Sequence, residues 1–430
     1  MRVALYCIVA AQALGGFVAH LTGVLLLFLT QENAGFDYTT AVMLYGVYGV
    51  LVAVAGMTLS PILDRAPAFR VAIIAAVMAA LVRVALPILT PPLMAGALVG
   101  VMPIVDALCA LPQMLALKRI LRIIHVGKRD EEADRDQEFL IAVSYALTNA
   151  ADVVANLVYD AMRQWLPTLA AANMAASWTA AGGLLGVAIL LLIAKRYALN
   201  ADMPVHPMDY AYGATPIRAT CRDGRFWRYM TLATLFFFVR MVFRHLETTL
   251  PMYLVRTFGP MAHFPLIQAI NPALICVLTP FMPRALRSVD VSLYDSFTMG
   301  TAVSMSGPLV LGLSLAAGGN TLAAVAAFVA IFSVGESIWS PRFVHYALQV
   351  APTGSEAMYV ALANLPSLLV KLPTSWFSAW LVEAFCPVGS CDGVALWLII
   401  GLVAAGTPFG LWALRRWLDT MKKRRPRRIR

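Results

Sequence analysis

Charged residues are scarce: Asp, Glu, Lys and Arg make up 13% of the 430 residues, while 60% are hydrophobic. A soluble domain carries about 25% charge, so this balance excludes a water-soluble fold. Cysteine is scarce too, six in all and scattered, which excludes a small fold stapled by disulfides. Cys7, Cys109 and Cys276 fall inside apolar segments, as small core residues do. Only Cys386 and Cys391, in FCPVGSCDG, are near neighbours, and they form a candidate disulfide if that loop faces an oxidising side. No His/Glu metal cluster, paired aspartates or Ser-His set recurs at helical spacing, so the chain lacks the groups of an intramembrane enzyme, and no cofactor or metal is expected. A short apolar core followed by a small-residue cleavage site is also missing at the N-terminus, so the apolar run from Val3 to Thr30 reads as a retained span.

What the chain has is a succession of long apolar runs. Polar punctuation divides them into twelve expected helices, near 4–30, 38–61, 71–89, 93–124, 137–161, 172–194, 229–254, 262–283, 292–315, 320–347, 356–383 and 393–416. Each is long enough to cross about 30 Å of hydrocarbon. The expected fold class is therefore all-α, a polytopic membrane protein. The sixth and seventh runs are separated by KRYALNADMPVHPMDYAYGATPIRATCRDGRFWR, far longer than the other connections. The organisation is six plus six: a bundle over 1–194, a connector over 195–228, a second bundle over 229–418 and a basic tail over 419–430.

The formal net charge of +10 gains its meaning from where the cations lie. Placing both termini, the connector and every second loop in the cytosol gathers most of the 33 Lys+Arg on that side, and leaves only Arg163 and Arg256 in the opposite loops. The positive-inside rule then fixes both termini inside. The run KKRRPRRIR beside the last span reads as an anionic-lipid contact worth about 1 kcal/mol per residue near the surface. Beyond that tail nothing supports nucleic-acid binding.

Since backbone groups in a bilayer must be paired within helices, polar side chains inside spans carry the functional information. SPILDRAPAFR places Asp64 and Arg65 at a helix end, either as a charged turn or as a cytosolic clasp. Tyr145 and Asn149 share a helix face at i, i+4, with Asp152 on the same side, and an amide there offers donors and an acceptor to a polar solute. Asn271 precedes Pro272, where the missing amide hydrogen frees a carbonyl. Glu336 and Ser340 are again i, i+4, in a strongly apolar run, where an unpaired carboxylate costs several kcal/mol. Arg240, Arg244 and Glu247 recur at i, i+4, i+7 within FFFVRMVFRHLETTLPMY, as a gate, a carboxylate site or a static network. Lys118 is a candidate counter-charge, or the solvated end of a helix. Arg83, Asp106 and Lys371 also fall inside spans without evident partners.

Two six-helix halves joined by a connector resemble the major facilitator superfamily, where the halves rock about a central site. SPILDRAPAFR resembles that superfamily's G-x-L-x-D-R-x-G-R clasp. Within it, four passages resemble the proton-dependent oligopeptide transporters: LLLFLTQENAGFDYTTAVMLYGVYGVLVAVAGMTLSPILDR, DRDQEFLIAVSYALTNAADVV, LIQAINPALICVLTPF and VGESIWSPRFVHYALQVAP. The resemblance implies a secondary transporter of small peptides or a related zwitterionic solute, with protons as a partner. It places Glu336 in the cavity wall against a substrate amino group, Lys118 at the family's cavity lysine, and Tyr145, Asn149, Asn271 and Ser340 around the solute. One motif is missing. The family's first-span E-x-x-E-R aligns with Ala11, Leu14 and Gly15, so the usual proton route is absent. His20 is the only ionisable group left in that span; coupling would have to pass through Glu336, Glu247, Asp106 or Asp152. The alternatives are an uncoupled facilitator of another solute, or a transport-inactive receptor or scaffold that keeps the fold.

Overall fold

The computed structural model describes residues 2–63, 66–125, 130–198, 224–289, 291–350 and 369–418. Asp64, Arg65, most of the expected connector and the basic tail lie outside the described residues. Everything regular within them is helical. Nine helical stretches are long and apolar enough to cross a membrane: Val3–Asn33, Tyr38–Gly56, Ala68–Ile88, Pro91–Gln113, Leu169–Tyr197, Phe226–Phe258, Leu293–Ala316, Thr321–Phe343 and Gly393–Ala413. Three more helical segments occupy the fifth, eighth and eleventh expected places. Asp130–Trp165 starts with the acidic run DEEADRDQE, which lowers its hydropathy, Phe264–Leu278 is short and interrupted, and Lys371–Phe385 follows residues outside the description. An all-helical, multi-pass membrane architecture follows.

The principal helices are α1 (Arg2–Phe28), α2 (Tyr38–Leu63), α3 (Ala68–Ala85), α4 (Met102–His125), α5 (Asp130–Trp165), α6 (Leu169–Tyr197), α7 (Phe237–Glu247), α8 (Ile270–Leu278), α9 (Leu293–Ala316), α10 (Thr321–Val350), α11 (Lys371–Phe385) and α12 (Gly393–Ala404). The breaks in them follow from proline chemistry. Pro251 has no amide hydrogen for the Glu247 carbonyl one turn earlier, and the helix is interrupted at Thr248, whose hydroxyl donates to the Arg244 carbonyl at 3.0 Å. Pro272 does the same to Gln268, and Phe264–Gln268 is separated from α8 at Ala269. At the start of α2, Asp37 accepts from the Thr40 hydroxyl at 2.5 Å and its amide at 3.2 Å. These hydrogen bonds hold the Asp37 carboxyl below the usual carboxylate range.

By packing, the chain forms two compact units that do not follow chain order. The first is Met1–Pro207 with Arg244–Cys276 and Lys371–Cys391; the second is Met208–Phe243 with Val277–Val370 and Asp392–Arg430. In the first unit α1 lies against α5 and α6, α3 against α4 and α6, and α2 against α4 and α11. Without a water-driven force between helices in lipid, close approach depends on small residues. Gly46 and Gly49 of α2 meet α11 this way: a Cβ on Gly46 would lie 2.7 Å from the Ser375 Cβ, and one on Gly49 would lie 2.9 Å from the Lys371 Nζ.

The second unit is organised by α9, which packs on α10 and α12. An aromatic core of Phe226, Tyr229, Phe236, Phe297, Trp339 and Phe343 fills its interior. Gly335 of α10 faces backbone directly, since a Cβ there would lie 2.4 Å from the Ser304 amide nitrogen and 2.6 Å from the Gly300 carbonyl oxygen. Gly335→Ala must push α9 and α10 apart, and overpacking of this kind destabilises by roughly 1–3 kcal/mol. The expected outcome in a thermal unfolding assay in detergent is a clearly lowered midpoint, whereas Gly96→Ala, which meets open space, serves as the unaffected control.

Candidate functional site

Ionisable and hydroxyl groups converge inside the first unit, on helices from both halves of the sequence. Glu247, at the end of α7, is the centre. Its Oε2 accepts from Tyr45 of α2 at 2.5 Å and from the Arg244 guanidinium at 2.5 Å. Lys371 of α11 acts on the same carboxylate electrostatically, its side chain laid over Gly49. The Arg244 and Glu247 side chains are 18% and 21% exposed, so the pair is largely buried.

Beside it lies a second group. His20 of α1 places Nδ1 3.8 Å from Asp152 of α5, and its Nε2 meets the Asn156 Nδ2 at 2.8 Å. Asp152 and His20 both feel the charge of Glu247. One cluster thus contains two carboxylates, two cations and an imidazole, where unpaired charge is costly.

Deeper in the same unit Arg83 of α3 is 3% exposed and grips Asp106 of α4 with two contacts, at 2.9 and 3.0 Å. Tyr48 of α2 donates to Asp106 at 2.7 Å, and Arg83 Nε donates to Thr22 of α1 at 3.2 Å. This fork, with every strong donor directed at an acceptor, ties four helices together.

Towards the α1–α2 loop, a run of hydroxyls joins the two halves. His245 Nδ1 meets Thr249 at 2.7 Å, Thr249 meets Ser378 at 2.7 Å, and Ser378 meets the Tyr38 hydroxyl at 2.9 Å. Arg256 donates to the carbonyls of Val382, at 3.1 Å, and Cys386, and its guanidinium covers the Tyr38 ring. It therefore caps the C-terminal end of α11, where Cys386 and Cys391 are joined as a disulfide. Arg163, assigned to a loop opposite the cytosol, lies in the last turn of α5 and is buried at 1% exposure. It sits 4.5 Å above the Phe264 ring and 5.2 Å above Phe28, and donates to the Pro260 carbonyl. A guanidinium is weakly hydrated and stacks well on aromatic faces, so this cage accepts it.

The other expected site residues distribute as follows. Asn149 and Asn271 belong to the first unit, Asn149 half-buried one turn before Asp152 and Asn271 buried beside the break before α8. Glu336 and Ser340, on α10, and Arg240, on α7, belong to the second unit, and all three are half-buried. Arg240 parts company with Arg244 and Glu247: its guanidinium lies over the Trp339 and Phe343 rings at 5.8 and 5.3 Å. The side chains of Lys118 and Tyr145 lie outside the description, as do Asp64 and Arg65.

Tyr45, Tyr48 and Asn156 are partners that the sequence did not single out. The available signal was the placement of two phenols at i, i+3 in a span opposite unpaired acids elsewhere in the chain. Removing one partner from a buried ion pair leaves the other charge stranded and costs about 3–5 kcal/mol, whereas replacing both with apolar residues restores most of it. Arg83→Met is thus expected to lower the unfolding midpoint in detergent sharply, and Arg83→Met with Asp106→Leu to recover it. A double variant as unstable as the single one would show that the fork holds through contacts other than the ion pair.

No family model matches the chain, and no characterised protein matches it by sequence. Solved structures do match along the whole length. A POT peptide transporter mutant in complex with alafosfalin superposes with a TM-score of 0.75 at 15% identity, covering 98% of this chain and 96% of that one. A POT family transporter in complex with 5-aminolevulinic acid gives 0.70 at 16%, with 96% of each chain covered. A further POT family transporter, determined in meso, gives 0.75 at 13%, covering 98% of this chain and 99% of that one. The chain therefore has the fold of the POT peptide transporters.

Proposed function

We propose that the chain is a secondary transporter that carries a small peptide or a related zwitterionic solute across a membrane by alternating access, with protons as the coupling ion. The observation that carries this reading is the cluster of His20, Asp152, Arg244, Glu247 and Lys371, five ionisable groups gathered within a fold shared end to end with peptide transporters. A structural scaffold in lipid has no need of such a cluster, because each charge is costly to keep there. The ligands bound in the solved relatives, alafosfalin and 5-aminolevulinic acid, support a small polar solute.

In this reading Glu336 meets the solute's amino group, and Asn149, Asn271, Tyr145 and Ser340 exchange hydrogen bonds with it. Lys118 or Arg240 receives its carboxylate. Binding at such a site is kept modest, so that the solute can leave. The seam made by Tyr38, Thr249, Ser378 and Arg256 serves in this reading as the gate on the non-cytosolic side. Both termini lie in the cytosol, Asp64 and Arg65 form the clasp on that side, and the basic tail contacts anionic lipid.

The test is a thermal-shift screen of the detergent-purified protein against dipeptides, amino acids, nucleosides and organic anions, repeated with Glu336→Gln. A dipeptide that stabilises the wild type and loses its effect in the variant is the expected outcome. Stabilisation unchanged by the substitution would remove Glu336 from the site. Stabilisation by none of the panel, with no uptake into proteoliposomes, would favour the scaffold.

A further inference from the structure

Two carboxylates of the cluster, Asp152 and Glu247, differ in what surrounds them, and the difference assigns them separate tasks. Glu247 receives two short hydrogen bonds, from Arg244 and Tyr45, and has Lys371 in electrostatic reach. A proton arriving there would displace a guanidinium and a phenol together. Asp152 has a single ion-pair contact among the described residues, with His20 Nδ1 at 3.8 Å.

The tautomer of His20 is set by Asn156. The Asn156 amide nitrogen donates to the Asp152 backbone carbonyl, at 3.1 Å, and lies 2.8 Å from His20 Nε2. Turning the amide over would bring its oxygen against that carbonyl oxygen, so the nitrogen is held towards both acceptors. His20 Nε2 is thereby an acceptor, and the ring proton sits on Nδ1, the atom that faces Asp152. A second proton on Nε2 would meet the Asn156 N–H head on. His20 is consequently held as a neutral donor rather than as the proton carrier.

We infer that Asp152 is the carboxyl group that takes up and releases the coupling proton, that His20 is a positioning residue presenting Nδ1–H to its ionised form, and that Glu247 is a permanently ionised anchor. The step is a simple protonation: an O–H bond forms on Asp152 with a proton from water on one side of the membrane, and the same proton returns to water on the other. The groups around Asp152 are His20 on α1, Glu247 on α7, Cys276 on α8 and Asn156 on its own helix, while Tyr45, Arg244 and Lys371 act on Glu247. None of the others combines a carboxyl group with so few donors. The first-span carboxylates whose absence the sequence reveals are thus replaced by a fifth-span one. This inference rests on the transport reading, and its test separates the two.

Infrared difference spectra of the full-length protein, titrated from alkaline to acid pH, report the C=O stretch of each carboxyl group as it is protonated. The expected result is a band within the working pH range that disappears in Asp152→Asn and stays in Glu247→Gln. It should move in Asp152→Glu and shift in frequency in His20→Gln, which removes the ring N–H. A band that persists in Asp152→Asn, or one lost in Glu247→Gln, would overturn the assignment, and a frequency unchanged in His20→Gln would remove its positioning role. In proteoliposomes with labelled dialanine, wild type should accumulate it against an acid-outside gradient. Asp152→Asn should keep exchange and lose accumulation; accumulation equal to wild type would overturn the proposal. If wild type moves no dialanine while the infrared pattern holds, the peptide reading fails and Asp152 remains the protonating group.

Discussion

A carboxylate inside lipid has to be met by donors on the spot, and Glu247 shows how far that requirement shapes the molecule. Its partners come from its own helix, from α2 and from α11, so satisfying one charge draws together helices from both ends of the sequence. The same demand recurs one layer deeper, where Asp106 and Arg83 tie α3 and α4 to Tyr48 of α2. Helix packing in lipid lacks a hydrophobic driving force. Cross-helix polar pairing and close contact at small residues therefore decide which helices lie together.

Helix α2 is the spine of that arrangement. Tyr38 and Tyr45, two turns apart, present hydroxyls to α11 and to Glu247, while Tyr48 turns to Asp106. On the same helix Gly46 and Gly49 let α11 approach until Ser375 and Lys371 lie on the α2 backbone. A bulkier residue at Gly49 would lift Lys371 away from Glu247. The electrostatics of the cluster and the sterics of the seam are one design, and a motion that separates α2 from α11 must dissolve both together.

Much of this was legible in the sequence. The twelve apolar runs follow from the need to cross hydrocarbon, and each has a helical counterpart, including the three that are too polar or too interrupted to pass as spans by composition. The breaks near Pro251 and Pro272 follow from the missing amide hydrogens. What stayed hidden was partnership. Arg240, Arg244 and Glu247 share a helical stripe, yet Arg240 stacks on aromatic rings of α10 while the other two pair with each other. Periodicity reports direction around one axis and says nothing of which neighbour waits there. Arg163 illustrates the same limit, since a loop-end cation gave no sign of the ring cage formed by Phe28 and Phe264. Tyr45, Tyr48 and Asn156 look like ordinary span residues until the acids opposite them are placed.

The most direct measurement is a disulfide trap of the α2–α11 seam. Gly46→Cys with Ser375→Cys places two thiols on facing turns of α2 and α11, where a Cβ on Gly46 would lie 2.7 Å from the Ser375 Cβ, so the helices part slightly to reach the roughly 3.5–4.5 Å of a disulfide. Oxidation in membranes should cross-link the pair, stop dialanine exchange in proteoliposomes, and release it again on reduction. A fully cross-linked protein that exchanges solute as before would contradict an account in which this seam must open for transport.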